Sequence, residues 1–248
     1  ALCSIDRVSA SANMTNRLSE AIVEAYKETN GAPITFTKML EEYQSKMADP
    51  SKDDTISSVL KQLVRANIFE EEDKADLIGD CYIIKMDGYP KDGPIAKAIV
   101  YFLISKLNNI YEQLEKQATN DEVVQIRHFS IIDEAHYMLD FDNRPLRNLI
   151  AVGRNKGLSI ILATQNMSSF KSKGFDFYAN AQYPLIMKQQ TIDDKVIKDL
   201  FGVSGNELQE IRTAIAGLQK GELIIKDQMA FALGMGKKYK KINVTHLI

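Results

Sequence analysis

Four polar residues stand at the ends of apolar segments or just before one, where they could act on a phosphate ester. Asp133 and Glu134 directly follow one apolar run, Gln165 ends a second, and Arg154 lies in the segment just before that second run. A carboxylate at a strand end can hold Mg²⁺ through its water shell, and a neighbouring carboxylate can polarise a water for attack on a phosphoryl group. An arginine can neutralise the charge that develops in such a reaction. These residue types favour phosphate-ester cleavage.

Helix capping is the alternative explanation of the acidic pair. A carboxylate that precedes a helix accepts bonds from the free N–H groups and interacts with the positive end of the helix dipole. For Asp133 and Glu134 alone, this structural role is slightly the better explanation. Gln165 and Arg154 change the balance, because a phosphate-cleaving site needs groups that sense phosphate and neutralise its charge. The four residues together favour a functional site.

An alternation of strands and helices must position these residues. From Cys81 onward the apolar runs "CYIIKMDG", "FSII", "LSIILATQ" and "YPLIMKQ" read as strands, and the helices "PIAKAIVYFLISKLNNIYEQLEKQ" and "RPLRNLIAVG" separate the first three. Apolar strands separated by helices predict a parallel sheet that is covered on both faces. Ligands bind at the carboxyl ends of such strands. The long helix begins at Pro94, and its predicted buried stripe is Ile95, Ile99, Phe102, Leu103, Leu107, Ile110 and Leu114.

The regions on either side of this alternation have their own patterns. Residues 11–74 show helical spacing in "RLSEAIVEAYKETNG", "ITFTKMLEEYQSKMADP" and "DDTISSVLKQLVRANIF", which predicts an all-helical domain over residues 1–78 and an α/β domain over 79–248. Near the C-terminus, "TIDDKVIKDLFG" and "SGNELQEIRTAIAG" predict two short helices, the second with a capping box from Ser204 to Glu207. The segment "GELIIKDQMAFALGM" predicts a β-hairpin that turns near Asp227 and Gln228.

Composition limits the class of protein. The chain has 248 residues, of which 45% are hydrophobic and 26% charged, so it can bury a sizeable core. A net charge of -2 gives no overall attraction to nucleic acid or membranes. The two cysteines, Cys3 and Cys81, are expected to be buried thiols in the reducing cytoplasm. No apolar stretch approaches the ~20 residues of a membrane span, and no signal peptide is recognisable.

The segments "SIIDEAHYML" and "LIAVGRNKGLSIILATQN" resemble a known family. They are similar to the Walker B strand, the arginine-finger segment and the glutamine-bearing strand of the HerA and FtsK superfamily of ring-shaped DNA-pumping ATPases. The resemblance extends over roughly residues 81–236. It implies a RecA-like parallel sheet flanked by helices, with an N-terminal all-helical insertion. Its nearest variety is the ATPase of a DNA phosphorothioation-dependent restriction system.

The resemblance also implies a role for each residue. Asp133 would support Mg²⁺, and Glu134 would be the catalytic base for ATP hydrolysis. Gln165 would contact the γ-phosphate or the attacking water, and Arg154 would reach the nucleotide of a neighbouring subunit. The implied partners are duplex DNA, further copies of the chain in a ring that is a hexamer in the family's pattern, and other defence-system or DNA-transfer proteins.

One departure from the family is large, since the phosphate-binding motif G-x-x-x-x-G-K-S/T does not occur. The single Gly-Lys pair, Gly236-Lys237, has Phe231 where the upstream glycine should stand. We therefore expect the chain to be the C-terminal part of a larger ATPase and to be inactive alone. The alternative is a non-catalytic scaffold that binds DNA or a partner ATPase.

Three further features have open interpretations. His136 could contact nucleotide or couple its hydrolysis to movement, although a histidine at a helix start is more often a surface residue. The run "GKKYKK" could bind nucleic acid, although a solvated run is the more frequent explanation. A basic cluster could equally line a DNA pore or form a solvated helix face; it comprises Arg144, Arg147, Arg154, Lys156, Lys171 and Lys173.

Overall fold

The structure is a computed structural model that describes residues 10–67, 76–120, 123–139, 141, 143–165, 167–172 and 175–244. Cys3, Lys173 and His246 lie outside the described residues. The chain divides into two compact units, one of Ala1–His128 with Phe141–Ser159, the other of Phe129–Asp140 with Ile160–Ile248. The proposed domain boundary between residues 78 and 79 remains a prediction.

The described residues form ten helices and nine strands, and two short 3₁₀ turns at Gly153–Lys156 and Met167–Phe170. The helices are α1 (Ala12–Glu28), α2 (Phe36–Ser45), α3 (Thr55–Ala66), α4 (Pro94–Gln113), α5 (His136–Leu139), α6 (Arg144–Val152), α7 (Phe177–Asn180), α8 (Asp194–Phe201), α9 (Gly205–Ala216) and α10 (Gln228–Leu233). The strands are β1 (Thr119–Asn120), β2 (Val123–Val124), β3 (His128–Ile132), β4 (Leu158–Leu162), β5 (Lys171–Ser172), β6 (Phe175–Asp176), β7 (Leu185–Met187), β8 (Glu222–Lys226) and β9 (Tyr239–Asn243).

Helices α1, α2 and α3 confirm the three helices predicted for the N-terminal region. A side chain caps the start of each helix: Ser11 for α1, Thr35 for α2 and Asp54 for α3. Each of these side chains accepts a backbone N–H from the first turn of its helix. Their shared apolar cluster consists of Leu18, Ala21, Tyr43, Ile56 and Leu60. Short polar caps at the helix starts and apolar residues at helical spacing account for this arrangement.

A polar network joins these three helices around Asp54. Its Oδ2 accepts the Tyr43 hydroxyl at 2.6 Å and Arg17 Nη1 at 3.1 Å, while its Oδ1 accepts the Ser57 N–H at 2.9 Å. Burial, followed by the hydrogen bond to Asp54, raises the pKa of Tyr43 well above its usual range. The Asp54 carboxylate therefore caps α3 and also holds α1 and α2 against it.

The long helix α4 begins at Pro94 as predicted, but its buried face differs from the predicted stripe. Of the seven stripe residues only Leu107 is buried, and the other buried positions are Ala96, Ala98, Ile104, Asn108 and Tyr111. From Pro94 to Ser105 every position except Lys97 is apolar or small, so periodicity could not identify the buried face. Asn108 takes part in a polar contact with α6, where Asn148 Nδ2 donates to its Oδ1 at 2.8 Å.

Strands β3 and β4 form a parallel pair. Hydrogen bonds join His128 N–H to the Gly157 carbonyl and Ala163 N–H to the Ile132 carbonyl, so both strands run in the same direction. The remaining sheets are antiparallel: β1 with β2, β5 with β6, and β7-β8-β9. The mixed α/β class is thus confirmed, although the strands of the described residues form only small sheets. The prediction that the run at β7 belongs to the parallel sheet is wrong, because β7 pairs antiparallel with β8.

The core of the second unit lies under the three-stranded sheet. It comprises Met167, Ile186, Val196, Ile197, Leu200, Phe201, Val203, Leu208, Ile211, Ile215, Leu218 and Ile224. These residues come mainly from α8, α9 and the inward face of β7 and β8. The two helices predicted in this region are confirmed. The capping box is not, because the Ser204 side chain caps no N–H group among the described residues.

Four other expectations are wrong. Residues 81–86 are irregular rather than a strand, with Ile83 86% exposed. Cys81 is exposed rather than buried. The predicted cover on both sheet faces is incomplete, since Phe129 and Ile131 of β3 are exposed. The C-terminal hairpin does not turn at residue 227: Asp227 accepts the N–H groups of residues 229 and 230 and starts α10, so β9 follows only after that helix.

Candidate functional site

The ends of β3 and β4 bring Glu134 and Gln165 together. The Ala163 N–H donates to the Ile132 carbonyl at 2.9 Å, and the Ala135 N–H donates to the Ala163 carbonyl at 2.8 Å. These bonds fix the chain just beyond both strands. Gln165 Nε2 then donates to Glu134 Oε1 at 2.5 Å. The contact is the one expected when two neighbouring parallel strands end at the same edge.

The backbone at Glu134 has an unusual conformation. Its φ of 50° lies in the left-handed region, which a residue with a Cβ adopts at a cost of roughly 1–2 kcal/mol. The bonds on either side of it, at Ile132 and Ala135, hold the chain in this conformation. Conformations of this kind occur disproportionately at active sites and ligand clamps. The turn aims the Glu134 carboxylate at Gln165.

Asp133 is exposed and takes part in the same turn. Its Oδ1 accepts the N–H of Glu134 at 2.9 Å, so one carboxylate oxygen stabilises the turn. Glu134 precedes α5 (His136–Leu139), so this bond caps the turn and is not the helix cap of the alternative explanation. A Mg²⁺ ion that accompanies a nucleotide commonly takes one or two carboxylates and completes its shell with water and phosphate oxygens. The remaining oxygen of Asp133 fits that requirement.

The second oxygen of Glu134 is enclosed and faces a histidine. Glu134 Oε2 is buried and lies 3.3 Å from His136 Nδ1, a contact within ion-pair distance that does not have the geometry of a hydrogen bond. Thr164 Oγ1 lies 3.4 Å from the same imidazole nitrogen. Sequence reasoning missed Thr164. The available signal was its position beside Gln165 at a strand end, together with a histidine two residues after Glu134.

Arg154 belongs to the other compact unit, where it occupies the 3₁₀ turn between α6 and β4. The turn ends at Gly157, whose φ of 84° is left-handed and whose added Cβ would meet the Gln125 carbonyl at 2.7 Å. The Gly157 carbonyl accepts the N–H groups of Arg127 and His128. Arg154 is exposed on this anchored turn. The glycine at position 157 is thus explained by the backbone of the turn.

The basic residues proposed to line a DNA pore do not all have the same surroundings. Lys156 Nζ donates to the backbone carbonyls of Tyr111 at 2.5 Å and Glu112 at 2.9 Å, at the end of α4. This contact assigns Lys156 to helix capping. Arg144 and Arg147 lie in the first turns of α6.

The lysines of the "GKKYKK" run pair with acidic side chains of the same unit. Lys237 lies 2.7 Å from Glu210, Lys238 lies 3.4 Å from Glu207, Lys240 lies 2.8 Å from Asp227, and Lys241 lies 2.6 Å from Glu222. The contact with Lys237 lowers the pKa of Glu210, and the contact with Lys241 lowers that of Glu222. These pairs favour the solvated-run interpretation over nucleic-acid binding.

The described residues lack two further kinds of feature. They contain no group of three or more His, Cys, Asp or Glu side chains arranged to hold a metal ion. Among the same residues, no helix has both the length and the apolar character that crossing a membrane requires.

The sequence matches no protein-family model and no protein of curated function. The functional assignment therefore depends on the geometry at the ends of β3 and β4.

Proposed function

We propose that this chain supplies the hydrolytic residues of an ATP-driven DNA translocase of the HerA and FtsK type. The observation that carries the proposal is the pairing of Glu134 with Gln165 at the ends of two parallel strands. A carboxylate with an amide 2.5 Å away, on a left-handed turn, is an arrangement that helix capping does not require. It does suit a base whose position responds to a bound phosphate.

Each residue has a defined task in this proposal. Asp133 would hold Mg²⁺ through its remaining carboxylate oxygen, and the ion, when bound with ATP, would neutralise charge on the β- and γ-phosphates. Glu134 would accept a proton from the water that attacks the γ-phosphorus. Gln165 would leave Glu134 Oε1 for the γ-phosphate or the attacking water and return after phosphate release.

The phosphate-binding loop must come from a segment other than this sequence, which contains no such motif. Without backbone N–H groups and a lysine around the β- and γ-phosphates, Glu134 has no positioned substrate. We therefore expect the 248-residue chain alone to release no phosphate from ATP above background. Turnover by the chain that Glu134→Gln abolishes would overturn this part of the proposal.

The central test uses the native polypeptide that contains this sequence. Glu134→Gln should leave ATP binding intact and abolish hydrolysis, because the amide cannot accept the proton while Asp133 still supports the metal. Glu20→Gln, on the exposed side of α1, makes the same change of charge away from the site and should hydrolyse ATP normally. Isothermal calorimetry measures binding, and a phosphate-release assay with and without duplex DNA measures turnover.

The opposite pattern would identify a scaffold. If the native polypeptide binds duplex DNA or a partner ATPase but hydrolyses no ATP, the Glu134 and Gln165 contact has only a structural role. If Glu134→Gln loses ATP binding together with hydrolysis in a folded protein, Glu134 is not the base. Either result would refute the catalytic assignment.

Arg154 extends the proposal to a ring of subunits, six if the chain follows the pattern of the HerA and FtsK superfamily. A guanidinium supplied from a neighbouring subunit stabilises the charge of the transition state and typically accelerates hydrolysis about 10³- to 10⁵-fold. Arg154→Ala should therefore retain ATP binding and lose turnover. Mixing it with Glu134→Gln should restore part of the activity, because some interfaces then combine an intact Glu134 with an intact Arg154. An unstable Arg154→Ala protein without rescue would assign Arg154 to its own turn.

A further inference from the structure

The enclosed oxygen of Glu134 raises a question that its contact with Gln165 does not answer. Oε1 accepts the Gln165 amide, whereas Oε2 is buried against His136 Nδ1 at 3.3 Å. A buried carboxylate oxygen that lacks a donor is costly. The state of the histidine nitrogen therefore determines whether this arrangement of the carboxylate is stable.

Only one state of His136 satisfies the surrounding atoms. If Nδ1 carried a lone pair, Thr164 could donate to it at 3.4 Å, but the lone pair would then face the negatively charged Oε2 of Glu134. If Nδ1 carries a proton, it can donate to Oε2, and Thr164 Oγ1 becomes a second acceptor on the same side of the ring. At 3.3 Å, a rotation of the imidazole that points Nδ1–H at Oε2 would convert the contact into a charge-assisted hydrogen bond.

We propose that His136 is a positioning residue for Glu134, with its protonated Nδ1 holding Oε2 and Thr164 orienting the imidazole. This inference rests on the proposed function. It assigns the two oxygens of the base different tasks: Oε2 is anchored to His136, and Oε1 accepts the proton of the attacking water once Gln165 moves away. His136 acts through Glu134 and need not touch the nucleotide.

The first test examines the 248-residue chain itself and does not depend on hydrolysis. Nitrogen-15 NMR distinguishes the protonated from the unprotonated imidazole nitrogen of each histidine. At alkaline pH His136 should carry its proton on Nδ1, and both Glu134→Ala and Thr164→Val should shift its nitrogen signals. The signals of His128, at the opposite end of β3, serve as the internal reference. An unprotonated Nδ1 that does not respond to Glu134→Ala would overturn the inference.

The second test measures kinetics in the native polypeptide. His136→Ala should lower kcat for ATP hydrolysis by about 10- to 100-fold and leave KM nearly unchanged, because a misplaced base affects the transition state more than binding. His136→Asn places an amide N–H near the position of Nδ1 and should recover most of the loss. His136→Gln carries the same amide one methylene farther out and should not. Equal losses in the Asn and Gln variants, both folded, would refute positioning through Nδ1.

The outcomes separate this inference from the proposed function. Hydrolysis that depends on Glu134 but is unaffected by His136→Ala would refute the positioning role alone. A native polypeptide with no hydrolysis under any condition would refute both. Loss of activity in His136→Ala with recovery in His136→Asn, together with the Nδ1 proton in the isolated chain, would support both.

Discussion

Replacing Glu134 by glycine should stabilise the chain relative to replacing it by alanine. Both variants remove the carboxylate and its contacts, so the comparison isolates the backbone. A left-handed φ, here 50°, costs an alanine about 1–2 kcal/mol, and the greater flexibility of glycine in the unfolded chain offsets about 0.5–1 kcal/mol of that difference. We therefore expect Glu134→Gly to be more stable than Glu134→Ala by about 0.5–1 kcal/mol.

The assay is unfolding in urea, monitored by far-ultraviolet circular dichroism. The midpoints of the variants are compared on condition that the dependence of the unfolding free energy on urea concentration is the same in all of them. The matched control is the pair Glu20→Gly and Glu20→Ala, because residue 20 lies inside α1. There glycine should be the less stable variant by about 0.5–1 kcal/mol, the opposite sign. If Glu134→Gly is also less stable than Glu134→Ala, the left-handed conformation is not imposed by the fold, and strain at Glu134 plays no part in the site.

Three further perturbations test other contacts. Lys156→Met should lower stability in thermal unfolding by about 1 kcal/mol, because the carbonyls at the end of α4 lose their charged donor; an unchanged melting temperature would contradict the capping role. Asn148→Ala should destabilise by about 1–2 kcal/mol in urea, since the side-chain oxygen of the buried Asn108 loses its donor, and a stability equal to wild type would contradict this. The hydrogen bond from Lys240 lowers the pKa of Asp227. The bond therefore stabilises the folded chain at pH values above the ordinary pKa of 3.8, and this stabilisation is lost as the pH falls through the lowered pKa. Lys240→Gln should therefore be less stable than wild type at neutral pH and equal to it in strong acid, and a difference that persists in acid would contradict the assignment.

Local signals predicted the N-terminal helices well. Their starts are fixed by Ser11, Thr35 and Asp54, each of which satisfies an N–H group within its own first turn. Such contacts join residues that are close in sequence, so they can be predicted from the sequence alone. The second role of Asp54, as acceptor for Tyr43 and Arg17, could not be read, because those partners become adjacent only when the helices pack.

Strand predictions succeeded or failed according to the partner that each strand requires. The runs at β3 and β4 form a parallel pair, and their hydrogen bonds depend on each other. The equally apolar run at residues 81–86 finds no such partner within the described residues and remains irregular and exposed. A short apolar run favours a strand, but the strand forms only when a neighbouring strand is present to accept and donate its backbone hydrogen bonds. The hairpin error has a different cause, since the side chain of Asp227 starts a helix where a turn was expected.

The candidate site was predictable in its position and not in its details. Two strands that end at one edge place Glu134 near Gln165, and that much follows from parallel pairing. The left-handed φ of Glu134 and the approach of His136 and Thr164 depend on the turn after β3, whose geometry the sequence pattern does not specify. Periodicity identifies which elements meet at the site. The side-chain contacts that distinguish the two oxygens of Glu134 are visible only in the fold.

Electrostatics explains why the proposed activity should require more than this chain. Asp133 and Glu134 place two carboxylates on adjacent residues, and a nucleotide triphosphate would bring several further negative charges beside them. Two like charges 4 Å apart repel by about 1 kcal/mol in water and about 4 kcal/mol near a protein surface. In the proposed enzyme, positive charge would therefore arrive with the substrate, from Mg²⁺ at Asp133, from a phosphate-binding loop, and from an arginine such as Arg154 of a neighbouring copy. In the proposed enzyme, hydrolysis begins only when these sources are assembled around one nucleotide, which links the chemical step to formation of the ring.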